Sequence, residues 1–394
     1  MAELAMPLRP SADEDTGPPK ESFLDGAWFA RDLAAVFRPR WLLAGHLGEL
    51  REPGQYLTYS LDADEVLICK DGENRVRAYH NVCSHRGARL CSDAAGKVGK
   101  RIVCPYHGWS YSLSDGAVLA APHMPDDFDR APWGLHPVHV DVWLGLIFVC
   151  LADNPPAPIA SYFRAAGFDG YRFGDAKLAS VKTHRIMANW KIVVENNLEC
   201  YHCAMNHPEL MAVRDWKNPS SIETFADALK SRAAGLEVIQ TKVECSHTLN
   251  GEKVCAVPFP RRDAVDNPSA YGLLWEPGMV MILSRDHGWI FSPKPVGPAC
   301  TDLKQYWFVA GDALEGKDYQ VERLREFWDV TMQQDRVLCE NVQKGMQMSA
   351  YVPGPLNRHH QTGQAGFYAW YTEQIHRHFP ETTRSSRPAS YRQD

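Results

Sequence analysis

The chain has 394 residues, 45% of them hydrophobic, a formal net charge of -6 and 11 cysteines. That length allows two domains or one large one with a substantial core, and acids and bases are interspersed, which points away from nucleic acid and anionic membrane and toward a small molecule or a protein as partner. No run of about 18 apolar residues could span a bilayer, and the opening MAELAMPLRPSADEDTGPPKES has acids and prolines where a secretory signal needs an apolar core, so the expected compartment is cytoplasmic.

Residues 1–22, rich in Pro, Ser, Asp and Glu, read as a disordered tail. FLDGAWFARDLAAVFRPRWLLAGH then predicts an amphipathic helix feeding an extended apolar run, so 23–51 is an N-terminal helical segment. From 52 to 153 the texture changes to short β-like pieces between turn signals: QYLTYSL, EVLICK, RVRAYHNV, KRIVCPY, WSYSLSDGAV and VWLGLIFVCL. NPPAPIAS reads as a linker opening a second domain, 154–380, which mixes helical stretches with strands such as MVMILS and QYWFVAG; 381–394 is a C-terminal tail. The expected class is therefore α+β, an all-β domain followed by an α+β one. Neither an internal repeat nor a Gly-rich phosphate cradle is present, so nicotinamide or flavin held by this chain is not expected. An odd cysteine count without an export signal reads as reduced thiols, some of them ligands.

Inside the β segment, NVCSHRGARLCSDAAGKVGKRIVCPYHGWSY offers Cys83-x-His85 and, after 18 intervening residues, Cys104-x-x-His107. Four such ligands suit tetrahedral zinc, or a 2Fe-2S cluster with two Cys on one iron and two His on the other. Zinc sites usually pair Cys with Cys and His with His, whereas here each loop carries one of each, which is what a mixed-ligand cluster needs. Cys91, in the first loop, reads as a packed thiol; CPYHGW resembles the second loop of a Rieske domain, and since Tyr106 stands where Rieske proteins of respiratory complexes carry an extra cysteine, that resemblance implies no loop-locking disulfide.

The second constellation lies in NWKIVVENNLECYHCAMNHPEL. Trp190, Val193, Val194 and Leu198 form an apolar strip on a predicted helix reaching about Cys203. Glu199 and His202 are three apart and share a face. His207 lies roughly 140° further round an ideal helix and precedes Pro208, which disfavours helical geometry there. Both imidazoles converge on one ion only if the helix breaks between them. Cys200 and Cys203 also fit a helical spacing, so spacing alone leaves a thiolate site open; by chemistry, two His and a carboxylate with open positions suit oxygen-activating iron(II), whereas thiolates favour zinc or a cluster. The carboxylate is sought on DYQVERLREFWDVTMQQDRVLCENVQKGMQ, where Val321, Leu324, Trp328, Met332, Leu338 and Val342 make an apolar stripe. That stripe passes through Asp335. A buried carboxylate must be paired with an arginine or bind a metal, while Asp329 and Glu340 fall off the stripe and read as solvated.

Together CSHRG, CPYHGW, NWKIVVENNLECYHCAMNHPEL and QQDRVLCENVQKGM resemble the catalytic alpha subunit of Rieske non-haem iron oxygenases, from about residue 25 to 380. ECYHC with HPEL and the run QKGMQMSAYVPGP look most like the branch acting on glycine betaine, stachydrine (proline betaine) and choline. The resemblance implies a Rieske [2Fe-2S] domain over 52–153 on Cys83, His85, Cys104 and His107, and a catalytic domain with an antiparallel helix-grip-like sheet over 154–380, on which segment 23–51 packs. Mononuclear Fe(II) would sit on His202, His207 and Asp335. It also implies a head-to-tail homotrimer in which Glu199 bridges His202 to a cluster histidine, His107, of the neighbouring subunit. NAD(P)H and flavin enter only through a separate ferredoxin or flavin reductase. The implied reaction uses O2 to hydroxylate an N-methyl group of a small betaine-type quaternary ammonium compound, with loss of formaldehyde; the alternative is ring or C-hydroxylation of an aromatic or other small carboxylated substrate. Tyr271, Trp275, Trp289, Phe291, Tyr306, Trp307 and Phe308 are enough for an ammonium cage, though each alone reads first as sheet core.

Overall fold

The computed structural model describes residues 17–165, 172–214, 235–239, 246–260, 270–275, 277–357 and 359–380. The tail expected at 381–394 and most of the one at 1–22 lie outside them, while Glu21–Leu24 is a short helix with Ser22 and Phe23 buried. The helix expected next runs Gly26–Asp32 and loosens into a π turn over Leu33–Phe37.

The first domain is built from β1 (Leu42–His46), β2 (Gln55–Leu61), β3 (Asp64–Lys70), β4 (Val76–His80), β5 (Ala95–Lys97), β6 (Arg101–Val103), β7 (Ser110–Ser112), β8 (Val118–Ala120), β9 (His139–Trp143) and β10 (Leu146–Cys150). They form antiparallel sheets in the orders β1-β10-β9, β4-β3-β2-β5 and β6-β7-β8. VWLGLIFVCL, expected as one piece, is a hairpin: Leu144 (φ 48°) and Gly145 (φ 89°) make a two-residue turn between β9 and β10. β10 is buried at every position because it is the middle strand.

The second domain holds β11 (Ala176–Ile186), β12 (Gly235–Ile239), β13 (Ala270–Trp275), β14 (Met279–Leu283), β15 (Gly288–Gly297) and β16 (Cys300–Ala310), in the order β11-β16-β15-β14-β13-β12. Alternation along each strand sends Met281, Ile290, Tyr306 and Phe308 into one apolar cluster and Ile282, Trp289, Phe291, Leu303 and Trp307 into another. The long helix Val321–Met346 lies on the second side, contributing Leu324, Phe327, Trp328, Met332, Cys339 and Met346 to that cluster. Its buried row therefore departs from the expected stripe in its last turns. Steps of three and four from Met332 lead to Asp335, Cys339, Gln343 and Met346, and Val342 is exposed.

One carboxylate ties the N-terminal segment to this domain. Asp32, fully buried, accepts from Trp190 Nε1 at 2.8 Å and Tyr371 Oη at 2.6 Å and pairs with the Lys191 ammonium. Breaking so buried a pair would leave an uncompensated charge. The helices Trp190–Asn197 and Thr362–His378 are thereby fixed to the segment that precedes the first domain.

Candidate metal centres

The two Cys/His loops close in the same way. Cys83 N–H donates to Ala88 O at 2.8 Å and Gly87 N–H to Cys83 O at 2.9 Å; Cys104 N–H donates to Trp109 O at 2.7 Å and Gly108 N–H to Cys104 O at 3.1 Å. Gly87 and Gly108 sit at φ 70° and 73°, a region costly for a side chain. The turns leave Cys83 and Cys104 buried, with burial first and Cys83 among the lesser causes raising the Cys104 thiol's pKa. The His85 and His107 rings meet edge to face at 4.7 Å, and His85 stacks on Trp109 at 4.8 Å. His85 Nδ1 is buried without a hydrogen-bond partner among the described residues, and His107 lies on the exposed tip. Two buried thiols and two converging imidazoles fit the mixed ligand set of a Rieske cluster. Cys91 is buried and held through its backbone by Asn81.

In the second domain the helix stops earlier than periodicity suggests. Asn189 caps it, its side chain accepting from Lys191 N–H, and it ends at Asn197. Leu198 to His202 form an irregular turn around Glu199, whose Oε2 accepts from the backbone N–H of Tyr201 and of His202. Cys203–Asn206 is one further helical turn, His207 leaves the helical region (φ -125°, ψ 68°), and Pro208 starts the next helix. The break that the metal site requires is therefore built by Glu199 on one side and Pro208 on the other.

It brings the three expected groups together. His202 Nε2 and His207 Nε2 are 3.1 Å apart, and Asp335 Oδ1 lies 3.4 Å from the first and 3.0 Å from the second. Metal–ligand bonds of about 2.1 Å at right angles separate neighbouring donor atoms by about 3 Å, so the spacing suits one facial triad. The opposite ring nitrogens are tied off: His202 Nδ1 to Glu199 Oε1 at 2.8 Å and His207 Nδ1 to Gln334 Oε1 at 2.8 Å, with Gln334 Nε2 donating to Glu209 at 2.9 Å. Such partners would fix the tautomer that leaves both Nε2 lone pairs free for a metal ion. Burial works against a charged His202, but Asp335 and Glu199 outweigh it and push the imidazole up to about 9. Burial would raise Asp335; the two imidazoles outweigh it and hold the carboxyl below its usual range. Such a set is satisfied by a divalent cation.

Three expectations need correcting. Cys200 and Cys203 are joined in a disulfide, not reduced; Cys203 Sγ is within 4.8 Å of the two imidazoles' nitrogens, yet a disulfide sulfur is no thiolate ligand. Asp329 is half-buried and paired with Lys182 at 2.9 Å, with His184 at 3.5 Å, and Glu340 accepts from Met187 N–H at 3.2 Å; both meet strand β11 or its end, which helix periodicity cannot foresee. Gln334 was not singled out by the sequence, where its only signal is adjacency to Asp335. Of the expected cage residues, Trp289, Phe291 and Trp307 lie on the helix side of the sheet and Tyr306 and Phe308 on the other, so they do not form one cage; the side chains of Tyr271 and Trp275 lie outside the described residues.

The fold and paired sites define a two-domain oxygenase: residues 40–140 match the Rieske [2Fe-2S] domain and 173–377 the ring-hydroxylating alpha subunit catalytic domain, and the chain belongs to that family of Rieske oxygenase catalytic subunits. Its membership implies a Rieske cluster and mononuclear iron. The chain is 35% identical over 391 residues to the glycine betaine monooxygenase oxygenase subunit of Pseudomonas aeruginosa, covering 93% of this chain and 90% of that one. It is 28% identical to the chloroplastic choline monooxygenase of Atriplex hortensis, over 92% and 79% of the two chains. Among solved structures, a quaternary ammonium Rieske monooxygenase in complex with L-carnitine superposes with a TM-score of 0.70 at 21% identity over 92% and 97%, and naphthalene 1,2-dioxygenase from Rhodococcus sp. with 0.70 at 17% over 91% and 94%. Among the described residues no helix is long and apolar enough to cross a membrane.

Proposed function

We propose that the chain is a terminal oxygenase that takes electrons from a separate NAD(P)H-dependent ferredoxin or flavin reductase and hydroxylates an N-methyl group of a small betaine-type quaternary ammonium compound. The convergence of His202, His207 and Asp335 within 3.4 Å carries the reading, supported by the substrate named for the 35% identical relative. In it, Cys83, His85, Cys104 and His107 hold the [2Fe-2S] cluster and His202, His207 and Asp335 hold iron(II). When bound, the iron supplies oxygen activation and the cluster single electrons.

The chain's own residues orient and couple. Glu199 Oε1 accepts a hydrogen bond from His202 Nδ1 and, in a homotrimer closed head to tail, would also accept one from a cluster histidine, His107, of the neighbouring subunit. One oxygen atom enters the C–H bond; the other leaves as water after two electrons and two protons. The resulting hydroxymethyl ammonium breaks its C–N bond, releasing formaldehyde, a proton and the demethylated amine.

Purified protein should carry about three irons per chain and show a Rieske visible spectrum. With a reductase it should release formaldehyde in step with NADH use on betaines. Formaldehyde-free oxidation of aromatic acids instead would replace this reading by ring hydroxylation.

A further inference from the structure

The side of the large sheet that meets the long helix carries buried polar groups that the metal ligand set does not use. Residues paired in register point to the same side. Trp289 pairs with Ile282 and Trp307, and Gln305 with Phe291 and Lys182, so Trp289, Phe291, Gln305 and Trp307 share it. Trp328, on the long helix, lies flat on Trp289 at 3.9 Å with 2° between the planes, and His247 stacks on Trp328 at 5.4 Å. Trp328 precedes Asp335 by seven residues, two turns along one helix face or about 10 Å. This wall therefore begins two turns from the carboxylate of the iron site.

Gln305 is 0% exposed, and neither Oε1 nor Nε2 has a hydrogen-bond partner; Trp289 Nε1, Trp328 Nε1 and His247 Nε2 are likewise buried without one among the described residues. Buried amide and indole N–H groups are costly to leave unpaired. His247 Nδ1 is bonded to Ser284 Oγ at 2.9 Å. Burial first, then Arg214 and His287, hold its imidazole well below the ordinary range, so it stays neutral. Lys182, beside Gln305 in the sheet, is already paired with Asp329. Gln305, Trp289 and Trp328 thus offer neutral N–H donors, and Arg214 is the cation that acts on the neighbouring His247.

Neutral donors suit one kind of anion. A betaine carries its own ammonium, so burying its carboxylate brings no net charge into the wall, and the donors need only orient it. We propose that Gln305, with the indole N–H groups of Trp289 and Trp328, takes the carboxylate of a zwitterionic substrate whose N-methyl end lies toward His202, His207 and Asp335. The assignment rests on the betaine reading above and makes Gln305 a specificity-determining residue.

Steady-state kinetics of the holoenzyme with its reductase, on glycine betaine and on choline, which lacks the carboxylate, test it. Gln305→Leu should raise KM for glycine betaine about 10- to 100-fold, leave kcat within a few-fold and leave KM for choline unchanged. Gln305→Glu should reject glycine betaine further while sparing choline, and Trp328→Phe, which keeps a stacking ring and loses the N–H, decides the matter should the Gln305 variants fail to fold. Equal effects on both compounds, or none, would mean that the wall holds only packing and ordered water and would overturn the proposal. Wild-type protein that turns over neither compound would sink the betaine reading and this assignment together, whereas wild-type turnover with an unchanged preference in the variants removes this assignment alone.

Discussion

The two proposed metal centres are assembled by opposite means. The Cys83/His85 and Cys104/His107 loops complete themselves locally: each closes within six residues through the same pair of backbone hydrogen bonds, with a left-handed glycine at the same place. The His202/His207/Asp335 site needs an interrupted helix, a pre-proline kink and a residue from a helix more than a hundred positions away. Local closure makes a site robust and easy to read. Long-range assembly makes it dependent on its supports, and those supports are where its chemistry can be tuned.

The sharpest test of that contrast removes one centre at a time. Asp335→Ala should abolish oxygenase activity and lower the iron content from about three to about two per chain, with the visible spectrum of the cluster intact. Cys104→Ser should instead bleach the spectrum and leave about one iron. Variants that lose both signals together would show the centres to be one cooperative unit.

The next effect concerns coupling. Glu199→Gln keeps the shape but replaces a carboxylate that accepts from His202 Nδ1 at 2.8 Å and from two backbone amides. Both centres should stay loaded, while oxidation of the pre-reduced cluster in a single turnover slows by about 10- to 100-fold. Unchanged single-turnover rates would leave Glu199 only the task of holding the turn. A smaller loss follows from Gln334→Leu, which frees His207 Nδ1: iron affinity in a chelator competition should fall by about tenfold or more, the cluster being untouched.

The same contrast explains what could be read in advance. CPYHGW and CSHRG are legible because ligands, turns and glycines are contiguous, and the strands over 55–61 and 64–70 are short β-prone pieces set off by turn signals. His202, His207 and Asp335 were reachable because ligand chemistry excluded the thiolates and a buried stripe passes Asp335. Gln334 was not, since its role exists only once His207 is beside it. The β9–β10 turn was hidden by Leu144, which gives no turn signal although it takes a positive φ. The Cys200–Cys203 bond was hidden because a C-x-x-C pair can be reduced, bonded or ligating, and spacing does not choose.

The smallest expected effect lies on the helix Trp190–Asn197, which leads into the proposed iron site. Glu195 sits 6% exposed against Gln364 and Tyr368 of the C-terminal helix, and burial pushes its carboxyl from 4.5 to about 8, only partly offset by Tyr368, Gln364 and Lys191. The folded chain therefore holds this proton up to about pH 8, whereas the unfolded chain releases it above about 4.5. Between those values the native state binds more protons, so the stability that this group contributes at low pH is lost as pH rises through the interval. Glu195→Gln keeps the neutral form at every pH and should flatten the decline: the melting temperatures of wild type and variant should be close near pH 5 and diverge toward pH 8, with the variant higher. A constant offset across the range would show that Glu195 is ionised in the fold and paired with Lys191, and that the helix into the iron site is held by charge rather than by packing.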